Sequence, residues 1–178
     1  MPPTAVRFRP GLVVPRSVYL DTNLFLHARD RDSVKYQAAS HCLTELIRQD
    51  AELYTSTLVF DELWWALLRT SYRIATGRTL TASIYKRDPE IWRQSWPRIR
   101  QITAEIIAWP RLHILDLRSG PTIVENAASL IDMSPLAPRD AFHLAIALSH
   151  DILSLVTADP DYDLVALPRD ARLTVIRF

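Results

Sequence analysis

Val18-Tyr19-Leu20-Asp21-Thr22-Asn23 reads as a short buried strand that stops on a carboxylate followed by two hydrogen-bonding side chains. A β-branched and apolar run ending in Asp is the pattern of a central parallel strand whose C-terminal end opens into a site. Ligands of open α/β sheets bind beyond the carboxyl ends of the strands. Asp21 is thus the first functional candidate. Taken alone it is better explained as a cap on the helix opening at Leu24, a common job for Asp at a strand-to-helix turn. The weight shifts only if further carboxylates fall at equivalent joints.

Before this strand, residues 1–16 hold four prolines and three arginines without an acid, the composition of an extended arm. After it, Val34, Ala38, Ala39, Cys42, Leu43, Leu46 and Ile47 recur at helical spacing up to Arg48. Leu53–Thr55 is a short strand. Ser56 or Thr57 is placed to cap a helix from Leu58 to about Tyr72, with Leu63, Trp64, Leu67 and Leu68 as its core face. Gly77 breaks the pattern. Asp88-Pro89 is a good N-cap and first-turn pair, and Ile91, Trp92, Trp96, Ile99, Ile102 and Ile106 continue a helical stripe. Pro97 interrupts that stripe and predicts a kink or two abutting helices. Strands follow at 112–115, 152–157 and 173–176. Helices are expected over 119–131, with Pro121 in the first turn, and over 141–149, opened by Pro138-Arg139-Asp140. Alternation of strand and helix throughout predicts an α/β three-layer sandwich around a mainly parallel sheet, with an enlarged helical middle. Residues 17–178 are expected to form one domain, since 178 residues at 48% hydrophobic content suffice for one substantial core.

The single cysteine, Cys42, excludes an internal disulfide and a cysteine-only metal cluster and suits a reducing cytosol. No apolar run approaches the ~20 residues of a membrane span and the N-terminus lacks an apolar signal core, so a cytoplasmic protein is expected. The net charge of +1 conceals an asymmetry. Residues 69–111 carry nine bases against three acids, so the remainder is net acidic. Such a division suits an enzyme that holds cations among carboxylates beside a polyanion. Any single arginine there is equally a solvated helical residue.

Acids occupy four joints: Asp21 after the first strand, Asp61-Glu62 early in the helix after the second, Asp140 at a helix start, and Asp159 with Asp161 and Asp163 after a late strand. In a right-handed parallel α/β sheet those joints lie on one edge, which brings the carboxylates together. Clustered carboxylates raise one another's pKa, and a bound divalent cation removes the conflict. Oxygen-only donors select Mg²⁺ or Mn²⁺ over zinc. Such an ion lowers the pKa of water and neutralises a phosphodiester. Asp159, Asp161 and Asp163 have the spacing of a calcium loop, but Leu164 stands where that loop requires glycine. Only three glycines are present, none in a phosphate-cradling loop, which speaks against kinase and dinucleotide-binding classes.

Four segments carry a resemblance: Val18–Asn23, Ser56–Leu63, Pro138–Ala147 and Val156–Asp163. In this order they resemble the PIN-domain family, and within it the VapC-like ribonuclease toxins of toxin–antitoxin pairs. The resemblance implies an acidic quartet at Asp21, Glu62, Asp140 and Asp159, binding one or two Mg²⁺ or Mn²⁺ ions, and endoribonuclease action on single-stranded or loop RNA by metal-activated water. It selects Glu62 over Asp61, which spacing does not separate. It also implies an RNA substrate and a small antitoxin partner. The proline-arginine arm and the tryptophan-rich middle depart from the family pattern.

Asn23 and Thr157 are placed to hydrogen-bond a ligand carboxylate, a water or a phosphate, or to stabilise their turns. Asp161 is the natural substitute for Asp159. Asp140 is equally an N-cap, and the two roles are compatible at a helix N-terminus. His143, one turn beyond Asp140, reads as packing, with contact to a ligand side chain as its functional alternative. Trp92, Trp96 and Trp109 fit core or a homodimer interface better than base stacking. The alternative to a nuclease is a catalytically silent PIN-like module that binds RNA or protein.

Overall fold

The computed structural model describes residues 2–88, 90–116, 120–167 and 172–178. In chain order its elements are β1 (Thr4–Arg7), β2 (Ser17–Leu20), α1 (Thr22–His27), α2 (Tyr36–Arg48), β3 (Glu52–Ser56), α3 (Thr57–Thr76), α4 (Ala82–Arg87), α5 (Glu90–Ile107), β4 (Leu112–Leu115), α6 (Gly120–Met133), α7 (Pro138–Ser149), β5 (Ser154–Thr157) and β6 (Thr174–Arg177). A 3-10 turn, Pro160–Leu164, joins the last two strands. The chain divides into two compact units, Met1–Val59 with Arg111–Phe178, and Phe60–Pro110.

The first unit is built on a six-stranded sheet of order β1-β6-β5-β2-β3-β4, parallel at every pairing. The central strands β2 and β5 are apolar and buried along almost their whole length, as strands covered by helices on both faces must be. From β2 the chain steps outward through β3 to β4, then returns to β5 on the other side of β2 and steps outward again to β6. With right-handed crossovers this reversal puts helices on both sides of the sheet, a three-layer α/β sandwich. It also places a topological switch point between the carboxyl ends of β2 and β5, where α/β sheets open a ligand crevice.

Residues 1–16 are less of a free arm than their prolines imply. Thr4–Arg7 contains no proline, and it joins β6 as an edge strand with Arg7 opposite Arg177. The helix expected from Val34 begins at Tyr36, and Val34 is fully exposed rather than part of the core stripe. The expected starts at Pro89 and Ser119 lie outside the described residues.

The second unit holds most of α3, with α4 and α5. Leu68, Leu80, Ile91 and Ile99 form its core, with Trp64, Trp92 and Trp96 packed against them. Trp92 stacks on Trp96 at 4.9 Å between centroids, and Trp96 meets Trp64 edge-on at 5.2 Å. The core reading therefore holds for Trp92 and Trp96. α5 runs unbroken through Pro97, where two abutting helices were one expectation. The lost backbone hydrogen bond is outweighed by Trp96 and Ile99 packing on either side of it.

Candidate active site at the carboxyl ends of β2 and β5

Asp21 follows the last residue of β2, and its amide donates to Val156 O of β5 at 3.2 Å, which extends the sheet into the joint. The residue is 5% exposed. Its Oδ1 accepts from the Thr22 amide at 2.6 Å, making it the N-cap of α1. Its Oδ2 accepts from Asn23 Nδ2 at 2.5 Å and from Thr157 Oγ1 at 2.6 Å. The cap role and a metal-ligand role use one geometry, because the cap bond fixes the carboxylate at the head of the crevice.

Asn23 and Thr157 both lie against that carboxylate. Asn23 also donates to Thr157 Oγ1 at 3.1 Å and accepts from the Ala158 amide at 2.8 Å. Thr157 Oγ1 accepts from the Asp159 amide at 3.0 Å. Asp21, Asn23, Thr157 and the backbone leading to Asp159 thus form one network, built from the residues at and just past the ends of β2 and β5.

Asp140 sits in the first turn of α7. The N-cap there is Ala137, without a side-chain cap, and Pro138 takes the first helical position, where its fixed φ and missing N–H fit. Asp140 is therefore not the cap. It lies two residues further in, where the helix N-terminus still favours a carboxylate. Asp159 caps the 3-10 turn, its Oδ1 accepting from the Asp161 amide at 2.9 Å. Asp140, Asp159 and Asp161 each offer an oxygen within 4.8 Å of the others. The donors are all carboxylate oxygens, which fits a hard divalent cation.

Tyr162 is fully buried and lies against Asp140 of this triad. Its hydroxyl donates to Asp140, with Oδ1 and the backbone oxygen both at 3.4 Å. Burial drives its pKa well above the ordinary phenol value, and the charges of Asp21 and Asp140, the neighbouring Tyr19 and the charge of Asp159 push the same way. Glu62 lies on α3 in the second unit, partly buried, and its neighbour Asp61 is exposed.

His143 is buried, as its packing reading requires. Its Nδ1 lies 2.9 Å from the Tyr19 hydroxyl, which in turn lies 2.7 Å from Ser56 Oγ. Tyr19 and Tyr162 are the residues that sequence reasoning missed. The signal was present for Tyr19, a phenol inside an otherwise apolar buried strand, whose hydroxyl needs partners. Asp163 stands apart from the triad: its Oδ2 accepts from Arg177 Nη1 at 2.9 Å.

The PIN-domain sequence pattern matches residues 18–167. No curated protein matches the chain in sequence. Among solved structures, the chain is similar to VapC20 of Mycobacterium tuberculosis, described as a sarcin–ricin loop cleaving toxin. That likeness has a TM-score of 0.52 and 15% identity, covering 82% of this chain and 92% of that one. It is similar also to VapBC2 of Rickettsia felis, solved bound to a DNA fragment from its promoter, with a TM-score of 0.54 and 13% identity over 89% and 98% of the two chains.

Proposed function

The chain belongs to the PIN-domain family, and on that premise we propose that it is a Mg²⁺- or Mn²⁺-dependent endoribonuclease, the toxin of a toxin–antitoxin pair. The observation that carries this reading is the grouping of Asp140, Asp159 and Asp161, whose oxygens lie within 4.8 Å of one another, joined through Thr157 to the buried Asp21 carboxylate. Asp21, Asp140 and Asp159 are the ligands, with Glu62 the fourth member by family resemblance and Asp161 in support. A divalent ion held there supplies water activation and charge neutralisation for phosphodiester hydrolysis. Asn23 and Thr157 fix the Asp21 carboxylate through Oδ2, so its orientation is set before substrate arrives. Tyr162, kept protonated, remains a donor to Asp140 and holds that side chain at the crevice.

The partners follow from the same reading: RNA as substrate, a small antitoxin protein that masks the site, and a second copy of the chain, in the cytoplasm. The likeness to VapC20 and VapBC2 supports the toxin assignment. The test is cleavage of a mixed pool of tRNA, rRNA fragments and mRNA by purified protein in Mg²⁺, in Mn²⁺ and in EDTA, beside Asp140→Asn. Cuts that require metal and vanish in a folded variant are expected. Equal cleavage by wild type and variant would contradict the assignment, whereas silence of both with RNA retained in a gel shift would favour the binding-module alternative.

A further inference from the structure

Beside the carboxylates, at the carboxyl ends of β1 and β6, lies a cleft of about 490 Å³ lined by Arg7, Lys35, Asp163 and Arg177 among others. Two of its cations come from strands that lie outside the matched residues 18–167. We propose that this cleft is a second phosphate subsite, which takes the neighbouring phosphodiester of the RNA strand whose scissile bond lies at the carboxylates. The proposal rests on the nuclease reading above and adds to it where the substrate backbone runs.

Three features carry it. The first is register: Thr157 pairs with Arg177, and Arg177 pairs with Arg7, so the three residues form a row across β5, β6 and β1. Paired residues share a face, and two like charges directly opposed across parallel strands repel. An anion between them turns that repulsion into attraction.

The second is charge balance. Three cations face one side-chain acid in the cleft, and that acid, Asp163, is already committed to Arg177 at 2.9 Å. Arg7 and Lys35 have no other side-chain acid of the cleft to pair with. The Arg7 side chain is exposed and has no ion-pair partner among the described residues.

The third is adjacency. Lys35 Nζ and Arg177 Nη2 both donate to the Ala158 carbonyl, at 3.1 and 2.9 Å. Ala158 stands between Thr157, which holds Asp21, and Asp159. The cations are therefore one residue from the ligand carboxylates, and two strand spacings, about 10 Å, separate Thr157 from Arg7. A polyanion crossing the carboxylates meets these cations next, and arginine suits phosphate through its planar fork of donors.

The probe is a mixed-sequence single-stranded RNA oligonucleotide, titrated in EDTA at several salt concentrations. It is offered to Asp140→Asn protein and to the same protein carrying Arg7→Gln or Arg7→Glu. Loss of one phosphate contact is expected to weaken binding about threefold to tenfold in Arg7→Gln and to flatten the logarithmic salt slope by about 0.7, with a larger loss in Arg7→Glu. In otherwise wild-type protein, Arg7→Gln raises KM by the same factor and leaves kcat nearly unchanged. If charge reversal melts the edge strand, seen as an earlier unfolding transition, Lys35→Met reads the same cleft from another element. A wild type that cuts RNA while Arg7→Glu keeps its KM and salt slope overturns the subsite alone, and leaves the cleft to an acidic peptide. A wild type that neither cuts nor binds RNA overturns the nuclease reading and the subsite with it.

Discussion

Tyr162 is where the chemistry of single residues is most exposed to test. Its phenol is buried, and the charges of Asp21, Asp140 and Asp159 all disfavour its ionised form. The folded pKa is therefore above the unfolded value of 10.0. Sign follows directly: the contribution to stability is intact below pH 10 and is lost as pH rises above it, because the unfolded phenol ionises and the folded one does not. Unfolding midpoints in EDTA, measured below and above pH 10, are expected to fall more steeply for wild type than for Tyr162→Phe. Parallel pH profiles would show that the folded phenol is not held above its unfolded value. At this scale Asp21, Asp140 and Asp159 were legible because each follows a strand or opens a helix. Tyr162 was not, since a tyrosine inside an acidic turn looks like surface until the turn folds inward. Nor was the true cap of α7, because Ala137 caps through backbone geometry alone.

Elements show a similar division. The strand at 112–115 was readable to the residue, whereas β1 was hidden by its flanking prolines, and α4 was not foreseen. The turns that carry α2 into β3 and α7 into β5 are another hidden device. Asp151 has φ +57°, its amide donates to Leu148 O at 3.1 Å, and the Ile152 amide donates to Ala147 O at 3.0 Å. Asp50 at φ +55° repeats this after α2, with Asp50 to Ile47 O and Ala51 to Leu46 O, both at 3.1 Å. These are Schellman caps in which Asp holds the left-handed position that usually goes to glycine. A chain with three glycines leaves no glycine signal at these joints, so the sequence marks them only as turns. Asp there strains the backbone and sets a negative charge at a helix C-terminus. Asp151→Gly is expected to stabilise the fold by about 0.5–1 kcal/mol after the entropy cost of glycine, read as a higher urea midpoint at unchanged slope. An unchanged or lower midpoint would show that the aspartate side chain contributes more than its strain costs.

For the whole molecule, the order of strands decides where the carboxylates gather. The chain reverses its direction across the sheet between β2 and β5, and the buried carboxylate network forms at that reversal. Alternating strand and helix signals made the α/β class legible. The strand order was not, because parallel pairing between segments over a hundred residues apart leaves no local trace. The arginine-rich stretch at 69–111 falls largely within the second unit, where Trp64, Trp65, Trp92 and Trp96 pack on its own core. Among the described residues no helix is long and apolar enough to cross a membrane.

The central claim is that the carboxylates at the β2–β5 reversal hold a divalent cation. Its most direct measurement is calorimetric titration of Mn²⁺ into wild type and into folded Asp140→Asn. Saturable binding by wild type, weakened at least about tenfold in the variant as expected for loss of a ligand carboxylate, is the anticipated result. No binding by wild type, or equal binding by both proteins, would contradict it.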